Sequence, residues 1–260
     1  MISSTHNPKI KALQLLQQKS SERRGTGLFV VEGRRELIRA MKSGYVVDSV
    51  FMCRPLMDDS EALPEMPEDA RVYEVSADVY QKIAYRGGTE GVVAIMMIKP
   101  MGLEDLTLRE NPLIVVVESV EKPGNLGAIL RSADAAGVDA VIVCDPLTDI
   151  YNPNLIRSSL GAFFSVPCVT ATSAECIAFL KQRGIQILTA QLQDSDLYYN
   201  IDMRRATAIV MGTESTGLTD QWRHAADAHI RIPMLGLVDS LNVSVSAAIL
   251  MYEAVRQRMD

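Results

Sequence analysis

Much that would point to a familiar function is missing from this 260-residue sequence. No apolar stretch reaches the roughly 20 residues that a membrane helix needs. The one long run without charges, residues 240–252, is too short. The N-terminus, MISSTHNPKIKAL, lacks the apolar core of a secretory signal, so the expected location is the cytoplasm. Four cysteines (Cys53, Cys144, Cys168, Cys176) form no CxxC pair and read as reduced core residues. Three histidines (His6, His224, His229) show no metal-ligand spacing, and no metal is expected. Gly124 and Gly127 give GxxG rather than GxGxxG, which speaks against a nicotinamide-dependent dehydrogenase. A Walker lysine motif, internal repeats and low-complexity tracts are missing as well.

What remains is an ordinary folded composition, 48% hydrophobic and 22% charged. A chain of this length makes one large domain or two modest ones. Its net charge of −6 discourages a general nucleic-acid coat. The average conceals an asymmetry. Residues 1–54 carry ten Lys and Arg against four Asp and Glu, whereas residues 101–260 carry twelve against nineteen. A basic head on an acidic body suggests that one part meets a polyanion.

Hydrophobic patterning divides the chain. A helix is expected over 7–19, where Asn7 can cap, Pro8 suits the first position and Ile10, Leu13 and Leu16 share a face. Strands at 28–31, 46–52, 72–75 and 92–98, with helices at 34–43 and 76–85, complete a first α/β domain, residues 1–99. Residues 100–112 read as a linker. Solidly apolar strands at 113–118, 139–143, 185–190, 207–211 and 229–232 then alternate with helices at 126–136, 153–160, 173–183, 219–226 and 240–257. That pattern implies a parallel sheet covered on both faces over residues 113–260. In such sheets ligands bind beyond the carboxyl ends of strands. Three unusual segments occupy such places: ESVEKPGNLGAILR at 118–131, MGTESTGL at 211–218, and IPMLGLVDSLN at 232–242.

NLGAILRSADAAG, IVMGTESTGL and IRIPMLGLVDSLNVSVSAAILMYE together resemble the three ordered motifs of the SpoU-type (TrmH-like) RNA 2′-O-ribose methyltransferases, members of the SPOUT class. The first domain is similar to the substrate-binding domain that often precedes that catalytic domain, itself related to small ribosomal RNA-binding proteins. The resemblance implies a C-terminal SPOUT domain with a trefoil knot, S-adenosylmethionine as cofactor, and a homodimer with the active site near its interface. It also implies an RNA substrate, with ribosomal RNA favoured over transfer RNA, and no membrane partner.

Carried over residue by residue, the resemblance makes Asn125, Arg131, Glu214 and Asn242 the catalytic set. An isolated arginine is usually a surface residue, but the Arg131 guanidinium can fork onto a phosphate or stabilise a developing alkoxide. Deprotonating it to serve as a base is much harder. Asn125, Ser240 and Asn242 can also act simply as helix caps, and Glu214 as a solvated loop carboxylate. Gly212, Ile232, Met234, Ser240 and Leu241 are the expected cofactor-binding residues, an apolar wall with backbone polar groups suited to adenine. Lys9, Lys11, Arg23, Arg24, Arg34 and Arg35 are the RNA-facing candidates, giving affinity rather than sequence specificity. The rival expectation is a non-catalytic RNA-binding or ribosome-assembly protein that keeps the fold.

Overall fold

The computed structural model describes residues 1–57, 63–84, 90–213 and 216–259. It divides into two compact units, one formed by 1–100 with 149–165 and the other by 101–148 with 166–260. Among the described residues no helix is long and apolar enough to cross a membrane.

The first unit opens with α1 (Pro8–Gln18) and α2 (Ser20–Thr26). Asn7 Oδ1 accepts the Lys9 N–H at 2.9 Å and Pro8 takes the first helical turn, so α1 starts where the sequence signals it. Its face of Ile10, Leu13 and Leu16 is buried. There follow β1 (Leu28–Glu32), α3 (Arg34–Lys42), β2 (Val47–Met52), β3 (Arg71–Glu74), α4 (Ala77–Ile83) and β4 (Val92–Met97). The four strands form one sheet in the order β1-β4-β2-β3, parallel only between β2 and β3.

Residues 149–165, which the sequence assigns to the second domain, pack with this first unit. The physical reason is aromatic. Tyr151, Phe163 and Phe164 come from the late segment, and Phe29 and Tyr45 from the early one. Ring centroids lie 4.8 Å apart for Phe29 and Tyr151, and 5.2 Å apart for Tyr45 and Phe164. The Tyr151 hydroxyl donates to the Lys99 carbonyl at 2.9 Å, and Arg39 Nη1 to the Leu160 carbonyl at 2.7 Å.

The same segment corrects one expectation. Arg23 does not face RNA: it is 2% exposed. Its Nε donates to Asp149 Oδ2 at 2.6 Å, and its Nη1 to the Leu16 and Gln17 carbonyls at 2.5 and 3.3 Å. Those carbonyls belong to the last turn of α1, where backbone acceptors lack helical partners. A buried guanidinium is tolerated only when charge and donors are matched in this way. Lys9, Lys11, Arg24 and Arg35 are exposed, and Arg34 is half-buried at the start of α3.

The second unit is a seven-stranded sheet, parallel in every pairing. In chain order its elements are β5 (Leu113–Glu118), α5 (Pro123–Ala135) and β6 (Ala140–Cys144). The chain then passes through α6 (Pro153–Ser158) and α7 (Ala162–Ser165) of the first unit. It returns as β7 (Cys168–Ala171), α8 (Ser173–Gln182), β8 (Gln186–Ala190), β9 (Asp196–Leu197), β10 (Thr207–Met211), α9 (Asp220–Ala225), β11 (Ala228–Arg231) and α10 (Val243–Met259). The strand order β7-β6-β5-β10-β8-β11-β9 seats the late strand β10 between β5 and β8. Every residue of β5, β6 and β10 is buried, as unbroken Val/Ile runs require when both faces are covered.

Two helix starts differ from expectation. Helix α5 begins at Pro123, not at 126, because proline pre-sets the first turn. Asn125 therefore sits inside that turn. Helix α10 begins at Val243, three residues later than expected, leaving Ser240 and Asn242 ahead of it.

Candidate active site

The carboxyl ends of β5, β8, β10 and β11 converge on two adjoining clefts of the second unit. The wider, about 430 Å³, is walled by Gly212, Ile232, Met234, Ser240 and Leu241, all five of the expected cofactor residues. The narrower, about 140 Å³, holds Val120, Glu121, Lys122 and Asn125. Gly212, Thr213 and Val243 line both and form the waist between them.

The waist depends on glycine. A Cβ on Gly212 would collide with the Gly217 carbonyl and the Leu218 nitrogen, so any side chain would force the loop open. Gly217 has φ +69°, a left-handed conformation that glycine adopts freely. Between them Thr213 and Gly217 exchange backbone hydrogen bonds at 3.2 Å each, and Thr213 Oγ1 accepts the Thr216 N–H at 3.0 Å. The result is a pinched loop from 212 to 218. Glu214, one of the expected catalytic residues, lies outside the described residues.

Two of the expected catalytic residues meet. Asn242 Nδ2 donates to Asn125 Oδ1 at 3.2 Å. Asn242 is also the cap of α10, its Oδ1 accepting the Ser244 N–H at 3.0 Å and the Ser244 hydroxyl at 2.6 Å. These two donors fix which end of the Asn242 amide is oxygen, so its NH₂ must face Asn125. The donor end of Asn125 is thereby turned away from Asn242. Capping and site-building are one arrangement here rather than competing roles. Ser240 is exposed and donates to its neighbour Asp239 at 3.2 Å. Arg131 is exposed on α5 and lines neither cleft.

Several cleft residues escape sequence reasoning. Gln191, just beyond β8, Asp239, and Arg223 on α9 all line the wider cleft. The rule that ligands bind beyond strand ends would have found Gln191, but no motif marks it. The Gln191 Oε1 and Arg223 Nε atoms are buried and make no hydrogen bond among the described residues. Unmatched buried polar atoms are rare enough to require explanation. An apolar wall of Ile232, Met234, Leu241 and Leu250 beside such groups fits an adenosine, which is flat, apolar-faced and polar-edged.

A seven-stranded parallel sheet with three motif loops gathered at its carboxyl edge is the fold of the SpoU methyltransferase family. The chain belongs to that family: residues 112–252 match the SpoU rRNA Methylase family, and residues 7–94 match the MRM3-like substrate binding domain. It is similar to the Bacillus subtilis 23S rRNA (guanosine(2553)-2′-O)-methyltransferase RlmP, 31% identical over 96% of this chain and 97% of that protein. A crystal structure of an RNA 2′-O ribose methyltransferase superposes with TM-score 0.86, at 37% identity, over 100% of this chain and 99% of that one. The SpoU methyltransferase AviRb from Streptomyces viridochromogenes, solved in complex with the cofactor AdoMet, superposes with TM-score 0.87, at 27% identity, over 98% and 99%.

Proposed function

We propose that this protein methylates a ribose 2′-hydroxyl of ribosomal RNA with S-adenosylmethionine, the first unit holding RNA and the second doing the chemistry. The observation that carries the reading is the hydrogen bond from Asn242 to Asn125, a residue of the narrower cleft, which adjoins the wider cleft lined by all five expected cofactor residues. S-adenosylmethionine, when bound, supplies an electrophilic methyl on a sulfonium. The 232–234 segment and Leu241 would hold its adenine, and the Gly212 waist would admit backbone close to it. Asn125 and Asn242 orient the ribose hydroxyl, since catalysis of such a transfer is mainly alignment. Arg131 takes an adjacent phosphate and stabilises the oxygen as its proton passes to solvent water; Glu214 orients Arg131 or the hydroxyl.

RNA reaches the protein through Lys9, Lys11, Arg24, Arg34 and Arg35, in a unit that matches a substrate-binding domain. The names of relatives such as RlmP support a ribosomal substrate. The protein works in the cytoplasm as a homodimer. Val245 and Tyr252, one heptad apart on α10, are about half exposed, and Leu235 and Leu237 are almost fully so. An unpartnered apolar stripe of that kind suits a second copy. Arg131, on a helix packed beside α10, would reach a reaction centre at such an interface.

The test is transfer of labelled methyl from S-adenosylmethionine to unmodified ribosomal RNA, with transfer RNA as the competing substrate. Arg131→Ala should abolish transfer while leaving cofactor affinity nearly intact. Wild-type turnover in that variant would remove Arg131 from the mechanism. Failure of the wild-type protein to bind S-adenosylmethionine by calorimetry would favour a non-catalytic RNA-binding role.

A further inference from the structure

Glu118 ends β5 within the first motif loop, yet it is 3% exposed. Its Oε2 accepts the Thr219 N–H at 2.9 Å and its Oε1 the Thr219 hydroxyl at 2.7 Å. Its Oε1 also lies 3.2 Å from the Ser173 hydroxyl. Ser173 in turn accepts the buried Trp222 indole N–H at 2.9 Å and donates to Asp145 Oδ2 at 2.6 Å. The carboxylate therefore ties β5 to the start of α9, while Ser173, whose single proton goes to Asp145, links the start of α8 to the loop after β6 and to Trp222.

Thr219 is the residue that closes the pinched 212–218 loop. The opposite end of that loop leaves the sheet at Met211, which pairs with Val117, the neighbour of Glu118. The loop is thus held at one end by strand pairing and at the other by both oxygens of Glu118. A carboxylate without matched donors is costly in such a place, and a packed apolar residue would often serve stability as well. An apolar residue would not hold Thr219 at two points.

We propose that Glu118 is a positioning residue for cofactor binding: through Thr219 it holds Gly217 and Leu218 in place as wall of the wider cleft. This rests on the reading that the wider cleft takes S-adenosylmethionine. Glu118→Gln keeps the side-chain shape but sets an NH₂ against one of the two Thr219 donors. Thr219→Val removes the hydroxyl and keeps the N–H, and Thr219→Ser restores the hydroxyl.

Calorimetric titration of the full chain with S-adenosylhomocysteine reads the effect directly. Glu118→Gln and Thr219→Val should each weaken binding about tenfold or more, roughly the loss of one charge-assisted hydrogen bond. Thr219→Ser should stay within about twofold of wild type. In methyl-transfer assays the KM for S-adenosylmethionine should rise while kcat at saturation changes little, a split that general loss of fold does not produce. Leu241→Glu places a charge in the cleft and tests the underlying reading. If it too binds normally, the cleft assignment fails. If it binds weakly while folded Glu118→Gln binds as wild type, the role of Glu118 alone is overturned. Should Glu118→Gln not fold, equal affinity in Thr219→Val and Thr219→Ser overturns the proposal.

Discussion

Asn242 donates its side-chain N–H to the side-chain oxygen of Asn125 at 3.2 Å, across 117 residues of sequence. One asparagine belongs to the first turn of α5 and the other caps α10. The polarity of the bond follows from Ser244, whose two donors claim the Asn242 oxygen. A first-turn asparagine and a capping one thereby become a directed pair beside the narrower cleft, which Asn125 lines.

Asn242→Asp separates these roles. Aspartate caps a helix as well as asparagine, so the melting temperature should hold. It cannot donate to Asn125, and on the proposed mechanism it places a carboxylate beside the reacting hydroxyl. Turnover should fall at least about tenfold, one tenfold step in rate being roughly 1.4 kcal/mol of barrier. Steady-state kinetics beside a thermal melt would check this; unchanged kcat would show that the bond is only structural.

Gly212→Ala should abolish cofactor binding without touching RNA affinity. The added methyl meets backbone atoms of Gly217 and Leu218, which cannot swing aside as a flexible side chain would. Equilibrium binding of S-adenosylhomocysteine and of RNA, measured on the same preparation, distinguishes this from unfolding.

These positions are unequally legible from sequence. Strands β5 and β10 stand where the pattern puts them, because residues buried on both faces leave an unbroken apolar run. Strand β7 escapes the pattern: it is four residues long, at the sheet edge and half-exposed. Helix α2, SSERRGT, carries no apolar periodicity at all. Glycine loops mark Gly212, whereas Gln191 and Asp239 are common residue types that gain meaning only from their neighbours in space. Glu118 sits inside a motif, but nothing local says that a strand-end carboxylate is buried. Arg23 misleads for the converse reason. Arginines are mostly exposed, and its partner is 126 residues away.

That partner sets a stability prediction. Asp149→Ala leaves the Arg23 guanidinium buried and uncompensated, a loss of about 3–5 kcal/mol by analogy with other broken buried pairs. Urea unfolding followed in the first unit should show it. Replacing both residues, as Arg23→Met with Asp149→Leu, should recover most of the loss. An additive double variant would contradict the pairing.

Acid should destabilise the second unit through two carboxylates. Hydrogen bonding to Arg256, then to Gln257, holds Glu253 below its ordinary value of 4.5. For Asp139, burial acts to raise the pKa, but hydrogen bonds from Arg109 and the Leu113 N–H outweigh it and leave it below 3.8. A pKa lowered by folding contributes stability that is complete above the unfolded value and disappears as pH falls through the folded one. Melting temperature should therefore hold from pH 7 to 5 and fall below about 4.5. Glu253→Gln should flatten that acid limb; an unchanged slope would remove Glu253 from the cause.

RNA binding should depend on the exposed cations and not on the buried one. Reversing Lys9, Lys11, Arg24 and Arg35 to Glu should weaken RNA binding and reduce its salt dependence, by about 0.7–0.9 in log–log slope for each phosphate left without its cation. Filter binding at several salt concentrations reads both. Undiminished affinity would place the RNA elsewhere on the protein.

The excursion of residues 149–165 into the first unit has a consequence for synthesis. A nascent chain that has emerged as far as residue 100 holds every strand of the first sheet, but neither Asp149 for Arg23 nor Tyr151 for Phe29. The expected outcome is an N-terminal unit that completes its packing only after β5 and β6 are made. A fragment cut at residue 100 would reproduce that incomplete state permanently, with a bare aromatic surface and an unneutralised cation where the finished protein has a core.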